Sequence, residues 1–241
     1  MPSSTAAQTA LPIPTIPTGD LAATQSLESV LRSLGLAHAA SLLDAACAKA
    51  IARNDSPTSL LDSLMRDELR VQLERRAQAA LKRSAIFPLT TLDTFDFDYP
   101  KSIDRALVLR AASLDFIAEK ANCVFVGPSG VGKTHLANAI GQLACLRGHR
   151  VRFATAADLV NDLVAGQALN FDARGADLLY QVFNRRYPRA ATIVTTNLAF
   201  KDWGTLFHNS AAASAIADRL VHKGLLIRIA GKSRRSDQEV E

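Results

Sequence analysis

Up to Arg83 the apolar positions recur at three- and four-residue steps, whereas beyond Ser102 many of them gather into short runs, and the two textures predict different architectures. The early periodic residues are Leu27, Val30, Leu31 and Leu34, then Leu60, Leu61, Leu64, Leu69, Val71 and Leu73. Gly35 and the cluster Asn54, Asp55, Ser56, Pro57 interrupt the period, so Leu21 to Arg83 predicts roughly three helices. Ahead of them, residues 1–20 are rich in Ala, Thr, Ser and Pro with no charge before Asp20, the composition of an unstructured tail.

Phe87 to Pro100 is helix-poor, aromatic and acidic, with Phe95, Asp96, Phe97, Asp98 and Tyr99, which suits a linker packed against the next domain. Helical and strand-like segments then alternate. A helix is predicted over Ile103 to Lys120, a short buried strand over Cys123 to Val126, and a helix that opens at the following turn and stops at Gly148. Val151, Phe153 and Thr155 read as strand, Leu159 and Leu163 as helix, Gly175 to Tyr187 as helix, and Thr192 to Thr196 as strand. A last helix over Ile216 to Val221 precedes a strand over Leu225 to Ile229. This alternation predicts an α/β domain with a mostly parallel sheet covered by helices on both faces. The expected organisation is a tail at 1–20, a small helical N-terminal domain at 21–90, the α/β domain at 91–235 and a tail at 236–241.

Composition narrows the class. An apolar fraction of 48% over 241 residues is ample for a packed core. The net charge of +5, with a pI near 9.3, permits contact with nucleic acid without demonstrating it. Much of the basic excess lies on the third predicted helix, where Arg66, Arg70, Arg75, Arg76, Lys82 and Arg83 face only Asp67, Glu68 and Glu74. That helix is either a solvated charged face or a surface for phosphate backbones. Cys47, Cys123 and Cys145 are odd in number, widely spaced and set among apolar neighbours, which argues against a disulfide framework or a zinc site and for a reducing cytoplasm. No apolar run is long enough to span a bilayer, and Pro12, Pro14 and Pro17 interrupt any leader-like stretch.

The sharpest chemical signal is Gly127, Pro128, Ser129, Gly130, Val131, Gly132, Lys133, Thr134, which fits G-x-x-x-x-G-K-[ST] between an apolar strand and an amphipathic helix. Glycines let the backbone turn tightly and aim successive N–H groups at phosphate oxygens, and the helix N-terminus adds partial positive charge. Lys133 is expected to reach the β and γ phosphates of ATP, and the Thr134 hydroxyl to ligate Mg2+. Neighbouring His135 reads as a surface or packing residue, and the cysteines as small core residues.

A P-loop ATPase normally adds an apolar strand ending in Asp, often Asp-Glu, to hold Mg2+ and orient the attacking water. No such segment stands between the second strand and Thr192: in Leu159, Val160, Asn161, Asp162 the spacing is helical, and Asp172 follows only Phe171. Asn197 ends an apolar strand at the carboxyl edge where ligands sit in open α/β sheets. It would either bond a γ-phosphate or its water, or cap the turn after the strand. Arg219 would either reach a neighbouring subunit's nucleotide or pair with Asp218 or another acid.

Taken together, these strings resemble the IstB-like ATPases of bacterial insertion sequences, within the AAA+ group and close to the DnaC helicase loaders. The likeness is carried by Phe95 to Tyr99, Gly127 to Thr134, Gly175 to Leu179, Arg185 to Tyr187, Thr195 to Asn197 with Phe200 to Trp203, Asp218 to Leu220, and Gly231 to Ser233. It spans Leu27 to about Arg235. The resemblance implies a helical N-terminal domain for assembly and DNA contact, and an AAA+ ATPase domain that oligomerises on DNA and helps a cognate transposase engage its target. It implies a sensor role for Asn197 and an arginine-finger role for Arg219, with Arg235 in place of the Arg of a terminal Gly-x-Ser-aromatic-Arg signature. A DnaC-like adaptor that loads a helicase is the other function the likeness implies.

One departure stands out. Where the family holds further basic helix and the strand ending in Asp-Glu, only Ala168 to Arg174 spans the gap, so about 25 residues are expected to be missing. The expected consequences are impaired ATP hydrolysis and sheet neighbours left with unpaired edges or pairing with each other.

Overall fold

The computed structural model describes residues 26–99, 102–163, 173–187, 189–206, 210–231 and 233. The tails expected at 1–20 and 236–241, together with Asp172 and Arg235, lie outside the described residues. The chain divides into two compact units, Met1–Gln72 and Leu73–Glu241.

The first unit is helical, as its periodicity predicts. Helix α1 (Leu27–Ser33) opens on Ser26, whose hydroxyl accepts the Ser29 N–H, and carries a Glu28–Arg32 ion pair one turn apart. Helix α2 (Ala37–Arg53) stops at Asn54 in the left-handed region, and α3 (Pro57–Ser84) starts with Pro57 in the first turn, where its missing N–H costs nothing. The end of α2 at Leu36 has no side-chain cap of its own. Glu68 from α3 supplies one: its carboxylate accepts the Ala39 N–H at 2.7 Å and is further held by Gln72 at 2.9 Å. Glu68 is only 2% exposed. Burial works to raise its carboxyl, but bonds from the Ala39 backbone, the Gln72 side chain and the His38 backbone outweigh this and hold its pKa below the usual range.

In the second unit come β1 (Ser102–Ile103), α4 (Arg105–Ala112), α5 (Asp115–Ala118), β2 (Cys123–Val126) and α6 (Lys133–Leu146). They are followed by α7 (Ala156–Leu163), α8 (Ala173–Arg186), β3 (Ile193–Thr196), a short 3-10 turn (Phe200–Asp202), α9 (Trp203–Leu206), α10 (Ser210–Val221) and β4 (Leu225–Ala230). Among the described residues four strands form one sheet in the order β1-β4-β2-β3. Strand β2 runs parallel to both β3 and β4, with Cys123 opposite Ile193 and Leu225, while β1 is antiparallel to β4. The sheet is thus mixed and mostly parallel.

Alternation along β2 feeds two cores. Cys123 and Phe125 point into a cluster with Val108, Leu136, Ile140 and Ile227, and Val124 into one with Val160, Leu179, Trp203, Ile216 and Leu220. Helices α4 and α6 cover the first face; α7, α8 and α10 cover the second. Buried Asn122 ties the starts of the three parallel strands: its carboxamide accepts the Thr192 N–H and donates to Arg219 O, and its carbonyl accepts the Leu225 N–H.

Two expectations change. The helix expected over Ile103 to Lys120 is two helices preceded by a strand residue: Asp104 caps the Ala106 and Leu107 N–H groups, and Leu114 sits at φ 68°, breaking the run. Val151, Phe153 and Thr155 form no strand, because the Phe153 N–H donates to Ser84 O at the end of α3 rather than to a sheet neighbour. The stop at Gly148 holds, with Gly148 and His149 N–H groups closing α6 on Cys145 O and Ala144 O.

Candidate phosphate-binding site

Strand β2 delivers the chain at Gly127 to the carboxyl edge of the sheet, and α6 begins at Lys133. The six residues between them form the loop that the motif predicts. Gly130 and Gly132 take φ of 79° and 88°, a region open to glycine without strain. The first-turn amides of α6 have no acceptor within the helix and present a positive end to an anion.

Three neighbours press against the loop's glycines so closely that side chains would not fit. The Ile229 carbonyl of β4 stands where a Cβ on Gly127 would be, and the Ser233 hydroxyl where one on Gly130 would be. The Phe95 ring comes within 2.6 Å of the corresponding place on Gly132. Of the three, the Ile229 contact is a backbone approach, and the Ser233 and Phe95 contacts are made by side chains. Lys133 folds back across the loop and donates to Gly127 O at 2.8 Å and Pro128 O at 2.5 Å. Burial lowers the pKa of its ammonium. A partly desolvated cation among loop carbonyls and helix-end amides suits a polyphosphate, whose oxygens would replace those carbonyls as acceptors. Thr134 stands in the first turn beside Lys133, the position from which its hydroxyl can ligate a phosphate-bound Mg2+.

Asn197 is brought to this edge. It directly follows Thr196, whose carbonyl accepts the Gly127 N–H at 3.2 Å. The turn after β3 is held by Thr196 instead, whose hydroxyl accepts the Leu198 N–H and reaches Leu198 O, both at 3.1 Å, and Asn197 itself is exposed. Arg219 is engaged within its own unit: it donates to Asn184 at 3.0 Å, to Ala215 O at 3.1 Å and to the Tyr180 hydroxyl at 3.1 Å, with its guanidinium 4.9 Å from the Tyr180 ring centre. Cys123 is fully buried and its thiol pushed up to about 12 by desolvation, which fits a core residue.

Ser233 and the Ile229 carbonyl escape a reading by motif, since their approach to the loop depends on β4 lying beside β2. The Gly231 to Ser233 string was the only signal that could have drawn attention there.

The family model described as IstB-like ATP binding protein matches residues 29–169 and 166–241. The chain belongs to this family. A protein named for ATP binding in insertion sequence IS5376 of Geobacillus stearothermophilus is 34% identical over 206 residues, covering 76% of this chain and 82% of that one. Its counterpart in insertion sequence IS21 of Pseudomonas aeruginosa is 30% identical over 233 residues, covering 87% and 88%. A crystal structure of DnaI is similar at 20% identity with a TM-score of 0.48, covering 66% of this chain and 93% of that one. As an IstB-like protein the chain is an ATP-binding protein of the insertion-sequence type, and the loop from Gly127 to Thr134 is where its sequence and fold offer a phosphate cradle.

Proposed function

We propose that the chain is an ATP-binding helper protein for DNA transposition whose hydrolysis of the bound nucleotide is impaired. The observation that carries the impairment is the set of residues that follow the three parallel strands among the described residues: Gly127 after β2, Asn197 after β3 and Gly231 after β4. None is a carboxylate. An Asp-Glu pair at such an end would help hold Mg2+ and orient the attacking water. The alignment with the Pseudomonas aeruginosa relative supports the same reading, since it runs over 233 positions yet occupies only 87% of these 241 residues. Roughly two dozen of its positions therefore face nothing in this chain, enough for a strand and part of its crossover. Strand β3 lies at the end of the described sheet with β2 as its described partner, which agrees with a neighbour having been lost.

In this reading Gly127 to Thr134 bind ATP, Lys133 holds its β and γ phosphates, and Thr134 is the protein's ligand to Mg2+. The metal, when bound, neutralises phosphate charge. Asn197 contacts the γ-phosphate or its water, and Arg219 acts as the finger only after release from Tyr180 and Asn184. The partners are a cognate transposase, further copies of the chain and DNA, in the cytoplasm. DNA contact is assigned to α3, whose Arg66 and Arg70 are paired with Asp62 and Asp67, while Arg75, Lys82 and Arg83 are exposed near its C-terminal end. Such binding weakens with rising salt, with a log–log slope of about −0.9 per phosphate contact, and a salt-insensitive affinity would exclude α3 as the surface.

The deciding experiment pairs titration of a fluorescent ATP analogue with a phosphate-release assay on unaltered protein and Lys133→Ala. Binding lost in the variant, with release at background in both, is the expected result. Release that depends on Lys133 would refute the impairment. Capture of a replicative helicase in place of a transposase would turn the reading to a loader-like adaptor.

A further inference from the structure

The segment from Ile86 to Phe95 lies along α6 in a regular antiparallel order. The Ile86 side chain packs over Gly141. One turn nearer the loop, the buried Asn138 carboxamide donates to Phe87 O at 3.3 Å and Pro88 O at 3.1 Å. At the next turn the Thr90 hydroxyl donates to His135 O at 2.9 Å, while His135 Nε2 lies 3.0 Å from Thr91 O and 3.3 Å from Thr94 Oγ1. An Nε2–H is the tautomer that satisfies the Thr91 carbonyl. The strap then delivers the Phe95 ring onto Gly132, edge-on to His135 with centres 5.4 Å apart and edge-on to Phe97 at 4.9 Å. Phe97 is in turn covered by the Arg105 guanidinium at 5.1 Å.

We propose that Phe95 is a positioning residue for the triphosphate: its ring, fixed at the end of a strap that α6 itself anchors, holds the turn at Gly132 in the shape that receives phosphate. This rests on the reading of the loop as an ATP site. Gly132, at φ 88°, has no side chain of its own to anchor the turn. A ring occupying the place of the absent Cβ removes alternative turns that a bare glycine would sample. Only the competent fraction binds, so apparent affinity falls in proportion when that fraction falls. The residue acts through Gly132 and needs no contact with the nucleotide.

The test compares MgATP with inorganic tripolyphosphate and magnesium as probes of the full chain. Phe95→Ala is expected to weaken both by the same factor, about tenfold, because the displaced loop serves any triphosphate. Phe95→Leu, which still fills the space over Gly132, is expected to restore most of that affinity for both probes. Phe95→Val is too short to reach and is expected to stay weak, which keeps the test open if the alanine variant does not fold. Unchanged affinity in Phe95→Ala, or equal affinity in the Leu and Val variants, would overturn the proposal. So would a loss confined to ATP, which would make the ring a stacking surface for the base. If unaltered protein binds neither probe, the ATP reading falls and the positioning role with it; if it binds both and the variants match it, only the positioning role falls.

Discussion

Among the described residues, burial in the unit up to Gln72 rests on Ala39, Ala40, Ala50 and Leu64, whereas the unit from Leu73 encloses Phe125, Leu136, Ile140, Ile216 and Ile227 with no exposure at all. The helical unit instead shows Leu27, Leu34, Ile51, Leu61 and Leu69 to solvent. Where apolar burial is thin, a polar contact sets the arrangement: the Glu68 carboxylate on the start of α2 joins two helices that little else would register. Where burial is thick, the core on both faces of β2 holds the sheet, and the backbone at its edge is free to form a loop of glycines with a desolvated lysine. Stability and the glycine loop are thereby carried by different residues in the larger unit.

The largest expected effect tests the thick core. Phe125→Ala should cost about 3–5 kcal/mol, read as lost hydrogen-exchange protection in β2, β3 and β4 of the full chain while the helical unit keeps its own. Equal loss in α1 and α2 would show that the two units do not unfold separately. Lys133→Ala should weaken MgATP by about 1.5–3 kcal/mol in calorimetry, the cost of removing a charge-assisted hydrogen bond from a partly desolvated cation, with little change in unfolding. A matching loss of stability would place the lysine in the scaffold instead of the site.

Glu68→Ala should cost about 1–3 kcal/mol by leaving two first-turn amides of α2 without their acceptor, and the loss should be confined to the helical unit. Its pH dependence has a definite sign. Because the folded carboxyl titrates below its unfolded value, its contribution is complete above the unfolded pKa and is lost as pH falls through the folded one. Acid unfolding of α1 and α2 followed by exchange should therefore flatten in Glu68→Gln, and an unchanged acid limb would remove Glu68 from its assigned role. Smallest of all, Arg66→Ala should leave thermal unfolding unmoved, since its pairing with Asp62 is exposed on both sides.

The breaks at Gly35 and at Asn54 to Pro57, the strand at Cys123 to Val126 and the helix stop at Gly148 could all be read in advance, because each depends on residues adjacent in the chain. The segment Val151 to Thr155 could not. Its apolar alternation is real, but a strand needs a partner, and the Phe153 N–H finds a helix end instead. Likewise Arg219 looked ready for either an acid or a neighbour's nucleotide, and the packing of α10 on α8 gives it Tyr180 and Asn184.

By itself the order of residues determined the phosphate loop, since turn, lysine and helix start are contiguous and their chemistry is local. Only the tertiary structure decided what leans on that loop. Phe95, Ile229 and Ser233 come from distant parts of the chain, and their meeting at three glycines depends on sheet order and on a strap laid along α6, which pairwise spacing along a sequence does not encode.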